Sequence, residues 1–199
     1  TVILGRWQTI VITSDSGETQ PLPLTAQAPL TQKMRVLTID GGFKEYTVGA
    51  SHQVTDHLFV IRKVEHLNDA LPDDHDRKPH WIWRLGGWIS VNRLTGRVAQ
   101  LNLSGFDPEI SQASWYRDYA AYCGTSDNAD GLKHYMIVVQ LGRRRPLLRR
   151  EHAGTGCGLP QWARAPSRVT FVVAGEKSSF VVRAHGADPQ PEPNEEEGP

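Results

Sequence analysis

The chain has 199 residues, 39% of them hydrophobic, with 18 glycines, 13 prolines and six tryptophans; that is long enough to bury a core without staples, and rich in turns. No apolar run approaches the ~20 residues that a membrane-crossing helix needs, which excludes that class. The formal net charge of zero hides a division. Asp188, Glu192, Glu195, Glu196 and Glu197 stand in a tail without bases, so the rest of the chain is mildly basic.

In chain order, Trp7–Thr13 alternates with β-branched residues and predicts a strand. Ser14–Gly17 predicts a turn. The prolines of 20–29 predict an extended connector or edge, because proline cannot donate to a ladder. Met34–Ile39 and Phe43–Val48 flank Asp40-Gly41-Gly42, a strong hairpin signal, since a two-residue turn wants positive φ at both central positions. Leu58–Val64 predicts a further strand, as does Trp81–Leu85, with Trp81, Trp83 and Leu85 on one face. Hairpins are also predicted for Trp88–Asn92 with Arg97–Leu101, for Tyr135–Leu141 with Pro146–Arg150, and for Val169–Val173 with Ser179–Val182. The fold class that follows is mainly β: antiparallel hairpins forming a sandwich or a barrel.

One stretch is expected to depart from this pattern. Asp107-Pro108 has the form of a helix start, Glu109 suits the first turn, and Gly124 stands where a helix would end. Between them Trp115, Tyr119 and Tyr122 recur at i, i+4 and i+7. The spacing predicts one α-helix over about 108–123, packed on or capping the sheet. Residues 1–183 are expected to form a single β-rich domain. Residues 184–199, poor in large hydrophobes and rich in proline and glutamate, are expected to be a disordered acidic tail.

Cys123 and Cys157 are the only cysteines. A lone pair in a hairpin-rich domain predicts a disulfide, and with it a secreted or periplasmic location, inferred from the thiols alone.

No set of residues matches a catalytic or metal-binding template, so no catalytic residue, metal ligand or cofactor is assigned. His52, His57, His66, His75 and His80 share a segment with Asp56, Asp69, Asp73, Asp74 and Asp76. Those are zinc-ligand types, but without zincin spacing. The segment reads as a polar loop, and its alternative is a metal-dependent or His/Asp hydrolytic enzyme using residues 52–80. Gly154–Gly158 lacks the lysine and serine of a phosphate loop and reads as the arm that carries Cys157 to its partner. Ser126–Ile137 fails the calcium-loop template and reads as a turn at 128–131. Trp81, Trp83 and Trp88 read as core rather than as a sugar platform.

Five arginines, Arg143, Arg144, Arg145, Arg149 and Arg150, crowd one hairpin. Guanidinium groups bind carboxylate or phosphate bidentately. The residues between them, Pro146, Leu147 and Leu148, are not aromatic, which counts against nucleic acid. The cluster reads first as a solvated edge that resists aggregation, with an anionic partner or the acidic tail as its alternatives; Tyr116, Arg117, Arg143, Arg144 and Arg145 are the candidate ligand surface. The functional expectation is a non-enzymatic, exported binding or structural domain whose ligand is a protein, an envelope component or a saccharide.

Overall fold

The computed structural model describes residues 1–13, 30–70, 79–128, 131–154, 156–183 and 186–190. The predicted turn at 14–17, the proline-rich connector at 20–29, the Asp73–Asp76 cluster with His75, and the residues from 191 onward lie outside these. The chain packs as two compact units, Thr1–Asn102 and Leu103–Pro199.

The first unit is a single sheet of β1 (Val2–Leu4), β2 (Gln8–Ile12), β3 (Leu30–Ile39), β4 (Gly42–Gln53), β5 (Leu58–Asn68), β6 (Trp81–Asn92) and β7 (Val98–Leu101). Strands β1 and β2 pair with successive halves of β3. From β3 the ladder runs antiparallel through β4 and β5 to β6, and β6 meets β2 in parallel at Trp83↔Ile12. There the Thr13 N–H donates to the Trp83 carbonyl at 2.8 Å. The pairing thus returns to its start, which leaves few open edges.

The alternation seen in the sequence fills the inside. Ile10, Ile12, Met34, Val48 and Val64 form one buried cluster, and Leu37, Phe59, Ile61, Ile89 and Val91 a second. Burial of each such side chain is worth about 1.5–3 kcal/mol.

The Asp40–Gly41 signal acts as predicted: Ile39 pairs with Gly42, and both turn residues have positive φ, 50° and 80°. The two strands predicted at 81–85 and 88–92 are halves of one. Arg62 faces Trp88 and Val64 faces Leu85, so Gly86 and Gly87 together oppose Lys63. A Cβ on Gly86 would stand 3.2 Å from the Lys63 Cβ, which is why a bulge forms here with glycine.

The second unit holds two four-stranded sheets. The first, in spatial order β11-β10-β9-β8, contains β8 (Ser114–Tyr116), β9 (Tyr119–Asn128), β10 (Gly131–Gln140) and β11 (Leu148–His152). The second, in order β12-β13-β14-β15, contains β12 (Gln161–Ala163), β13 (Arg168–Val173), β14 (Glu176–Arg183) and β15 (Gly186–Gln190). They share one core: Ala121, Met136 and Val138 from the first pack with Val169, Phe171, Val173, Phe180 and Val182 from the second. The other face of the β9–β10 sheet is covered as well. Ala120, Tyr122 and Ile137 are buried there under Leu103, Phe106, Ala113 and Trp115.

The predicted helix over 108–123 is not formed; no residue described is helical. Its start signal is satisfied by a single turn. The Asp107 carboxylate accepts from the Glu109 N–H at 2.8 Å, and the Asp107 carbonyl accepts from the Ser111 N–H at 2.8 Å. The chain then becomes a hairpin, with Trp115 opposite Ala120 and Tyr116 opposite Tyr119. A helix would bury one stripe, whereas this hairpin and its neighbours bury both faces, and aromatic residues fit a pleated surface well.

The expected tail also begins with order. Gly186–Gln190 pairs with Ser179–Arg183 of β14, so the first part of the segment assigned to disorder is an edge strand.

Candidate functional site

Two turns define one end of the first sheet of the second unit. Strands β8 and β9 are joined by Arg117–Asp118, with Arg117 at φ 52°; a two-residue hairpin requires this left-handed conformation. Strands β10 and β11 are joined by residues 141–147, where Gly142 takes φ 81° and the Leu147 N–H donates to the Val138 carbonyl at 2.8 Å.

Asp118 ties the two turns together. Its carbonyl accepts from the Leu141 N–H at 2.8 Å, and its carboxylate accepts from Gln140 Nε2 at 2.8 Å. Arg117 is thereby carried to the same end of the sheet as Arg143, Arg144 and Arg145. The last three are exposed and line an open groove of about 510 Å³ with Pro146 and Leu147. Among the described residues, no carboxylate lies within ion-pair distance (4.0 Å) of these three guanidinium groups.

The aromatic residues that the loop itself lacks arrive from other strands. Tyr116 stacks on Trp162 of β12 with ring centroids 5.5 Å apart, and Tyr119 lies 6.3 Å from the same ring. Trp162 is fixed by its indole N–H, which donates to the Ser114 carbonyl at 3.1 Å. The Arg117 guanidinium sits 5.4 Å over the Tyr116 ring. All five residues of the candidate ligand surface thus belong to this end of the sheet, and Trp162 is the member that sequence reasoning missed. Its place shows only through the β8–β12 packing, and no local signal in the sequence carries it. The remaining two arginines lie along β11, Arg149 4.2 Å over the Tyr135 ring and Arg150 5.8 Å over Phe180.

Comparison with protein-family models, with characterised proteins and with solved structures finds no match.

Cys123 and Cys157 form a disulfide, with Cα atoms 6.2 Å apart and a sequence separation of 34. It joins β9 to the arm before β12, and Cys157 itself bridges to Val173. The cavity beside it is lined by Ile110, Cys123, Gly124, Thr125, His134, His152, Gly154, Gly156 and Cys157, and has a volume of about 320 Å³.

The described histidines of the 52–80 segment stand in separate elements. His52 lies in β4 opposite Val60, His57 in the turn after it, and His80 just ahead of β6. His66 is held between two indoles, 4.3 Å from the Trp83 ring and 4.9 Å from that of Trp81. Among the described residues, no group of three or more His, Cys, Asp or Glu side chains is placed to hold a metal ion. Among the described residues, no helix is long and apolar enough to cross a membrane.

Of the three tryptophans read as core, only Trp88 is buried. Trp83 is half-buried against the Ile10–Val64 cluster, and Trp81 is 57% exposed. Rings continue across the sheet from Trp83 to Tyr46 at 5.0 Å, and from Tyr46 to Phe43 at 4.8 Å. Phe43, like Trp81, is open to solvent.

Proposed function

We propose that this protein is a non-catalytic binding domain that holds an acidic partner at the arginine-bearing end of its second unit. One observation carries this reading: the Asp118 bridge between the two turns, which brings Arg117 to the same end of the sheet as three arginines with no carboxylate within ion-pair distance among the described residues. Like charges kept together at an exposed end repel one another, and an incoming carboxylate or phosphate relieves that repulsion while taking bidentate hydrogen bonds. The Cys123–Cys157 disulfide supports placing the domain in an oxidising compartment, secreted or periplasmic. An acidic envelope polymer or an acidic protein surface has the chemistry this end would take.

The test is a salt series with polyglutamate as soluble probe and vesicles containing an anionic phospholipid as the membrane arm. Binding should weaken steeply with salt, and the combined Arg143→Ser, Arg144→Ser and Arg145→Ser variant should lower the slope of log K against log salt by roughly two to three. Binding indifferent to salt, or unchanged in the triple variant, would overturn the reading.

A second reading is favoured by the ring series of the first unit. A sheet that presents Trp81 of β6 and Phe43 of β4 to solvent offers a face on which a neutral saccharide stacks. Titrating neutral oligosaccharides against tryptophan fluorescence tests it, and a response that survives Trp81→Ala would remove it.

A further inference from the structure

The edge strands of the second unit differ in what they offer to a further strand. Strands β8 and β12 span three residues each, and the Trp162 indole already takes the Ser114 carbonyl of β8 at 3.1 Å. Strand β15 contains Pro189, which has no N–H to donate. Strand β11 is five residues long, Leu148–His152, without proline, and it ends its sheet. Among the described residues, no turn or loop backbone bonds to it. Its main-chain groups that face away from β10 are therefore open to pairing.

Arginine guards that edge on both faces of the sheet. Arg149 lies 4.2 Å over the Tyr135 ring, on the face where Tyr122 is buried. Arg150 lies 5.8 Å over the Phe180 ring, on the face turned to the other sheet. Both are exposed. At the head of the strand opens the groove of Arg143, Arg144 and Arg145. Glu151, the acid of β11, is engaged by Lys133 of β10 at 3.5 Å.

We propose that β11 is the docking edge for an acidic, extended peptide, which adds a strand there and lays its carboxylates against Arg149, Arg150 and the groove beyond. The inference rests on the acidic-partner reading and names the form that the partner takes. In strand addition the main-chain bonds hold the peptide and its side chains decide which peptide is held. Successive residues of a strand point to opposite faces, so two neighbouring acids reach Arg149 and Arg150 together. Antiparallel pairing is the more stable arrangement, and it carries the C-terminal end of the peptide past Leu148 into the groove. Acids at that end meet Arg143, Arg144 and Arg145.

The same charges select the partner. A second copy of β11 sets arginine beside arginine, and a neutral strand gains no ion pair, whereas an acidic strand gains one at each arginine it passes. A basic edge thus resists aggregation and still admits one class of strand.

The probe is a fluorescent peptide of about eight residues, alternating valine and threonine in its first half and glutamate in its second. Its control is the same peptide N-methylated at every residue. The two carry equal charge, so their contrast isolates main-chain pairing from Coulomb attraction. With the full chain at low salt, the unmodified peptide should bind at least about tenfold more tightly than the control. Its binding should also slow amide hydrogen exchange of Arg149, Arg150 and Glu151 by at least about tenfold. Equal affinity of the two peptides, or unchanged exchange along β11 in the complex, would overturn the proposal. If polyglutamate still binds with steep salt dependence in that case, the acidic-partner reading stands and only the strand addition falls. If neither polyglutamate nor either peptide binds, both fall.

Discussion

Gly124 stands so close to Gly105 that a Cβ at position 124 would strike the Gly105 carbonyl oxygen and come within 2.8 Å of the Ile137 Cδ1 methyl. The same carbonyl accepts from the Thr125 N–H at 2.8 Å, so the segment entering the second unit lies backbone against backbone on β9. Gly124→Ala is therefore expected to cost about 2–3 kcal/mol, because the obstacle is a main-chain oxygen and cannot swing aside. Gly158→Ala is the control. A Cβ there meets only the Val172 carbonyl, at 3.8 Å, and urea unfolding should place that variant within about 0.5 kcal/mol of the parent.

The role of Gly124 also shows where the sequence misleads. Trp115, Tyr119 and Tyr122 fit a helical stripe by spacing, but the turn at Arg117–Asp118 resets the phase. Trp115 and Tyr122 end on one face and Tyr119 on the other. A glycine at a helix end and a glycine at a close backbone crossing look alike in one sequence. The hairpin at Asp40–Gly41 was legible because its turn chemistry is local, whereas the hairpin after Val173 was legible only as a hairpin: its turn is Ala174–Gly175, with Val173 paired to Glu176, and not the expected 174–178. The pairing of Cys123 with Cys157 was legible because no other thiol competes. The approach of the Arg117 turn to the Arg143 loop was not, since it depends on a register that aligns Tyr119 with Gln140 and on Asp118 bridging the two.

The disulfide closes a loop of 34 residues, and its removal frees the unfolded chain. On the chain-entropy argument, Cys123→Ser with Cys157→Ser should lower stability by about 3–4 kcal/mol. Unfolding of the oxidised parent and of the double variant under the same conditions measures the difference. A loss below about 1 kcal/mol would mean that the β13 backbone bonds already do the work of the bridge.

Tyr122 supplies a pH dependence. Its side chain is buried and its hydroxyl donates to the Ser104 carbonyl at 2.9 Å. Burial disfavours the phenolate and raises the pKa above the ordinary value for tyrosine. In the unfolded chain the group ionises near pH 10. Its contribution is fully present below that pH, and is lost as the pH rises past it, because the unfolded state releases the proton first. Tyr122→Phe removes one hydrogen bond, about 1 kcal/mol at neutral pH, and should make the alkaline fall in stability shallower. Thermal melts between neutrality and the alkaline limit check both statements, and parallel curves for the two proteins would refute the second.

Arg117 offers a way to separate binding from folding at the arginine-bearing end. A non-glycine residue at φ 52° bears a conformational cost of about 1 kcal/mol that glycine avoids. Arg117→Gly relieves that cost and gives up the guanidinium's contacts, the one over Tyr116 among them, so its stability should stay within about 1 kcal/mol of the parent. The turn, its register and the Asp118 bridge remain, while one positive charge leaves the surface. Polyglutamate binding at low salt should then weaken several-fold, and the difference from the parent should shrink as salt is raised and the charges are screened. If the variant binds as the parent does at low salt while Arg143→Ser alone weakens binding, the surface is confined to residues 143–147, and Arg117 serves the turn rather than the ligand.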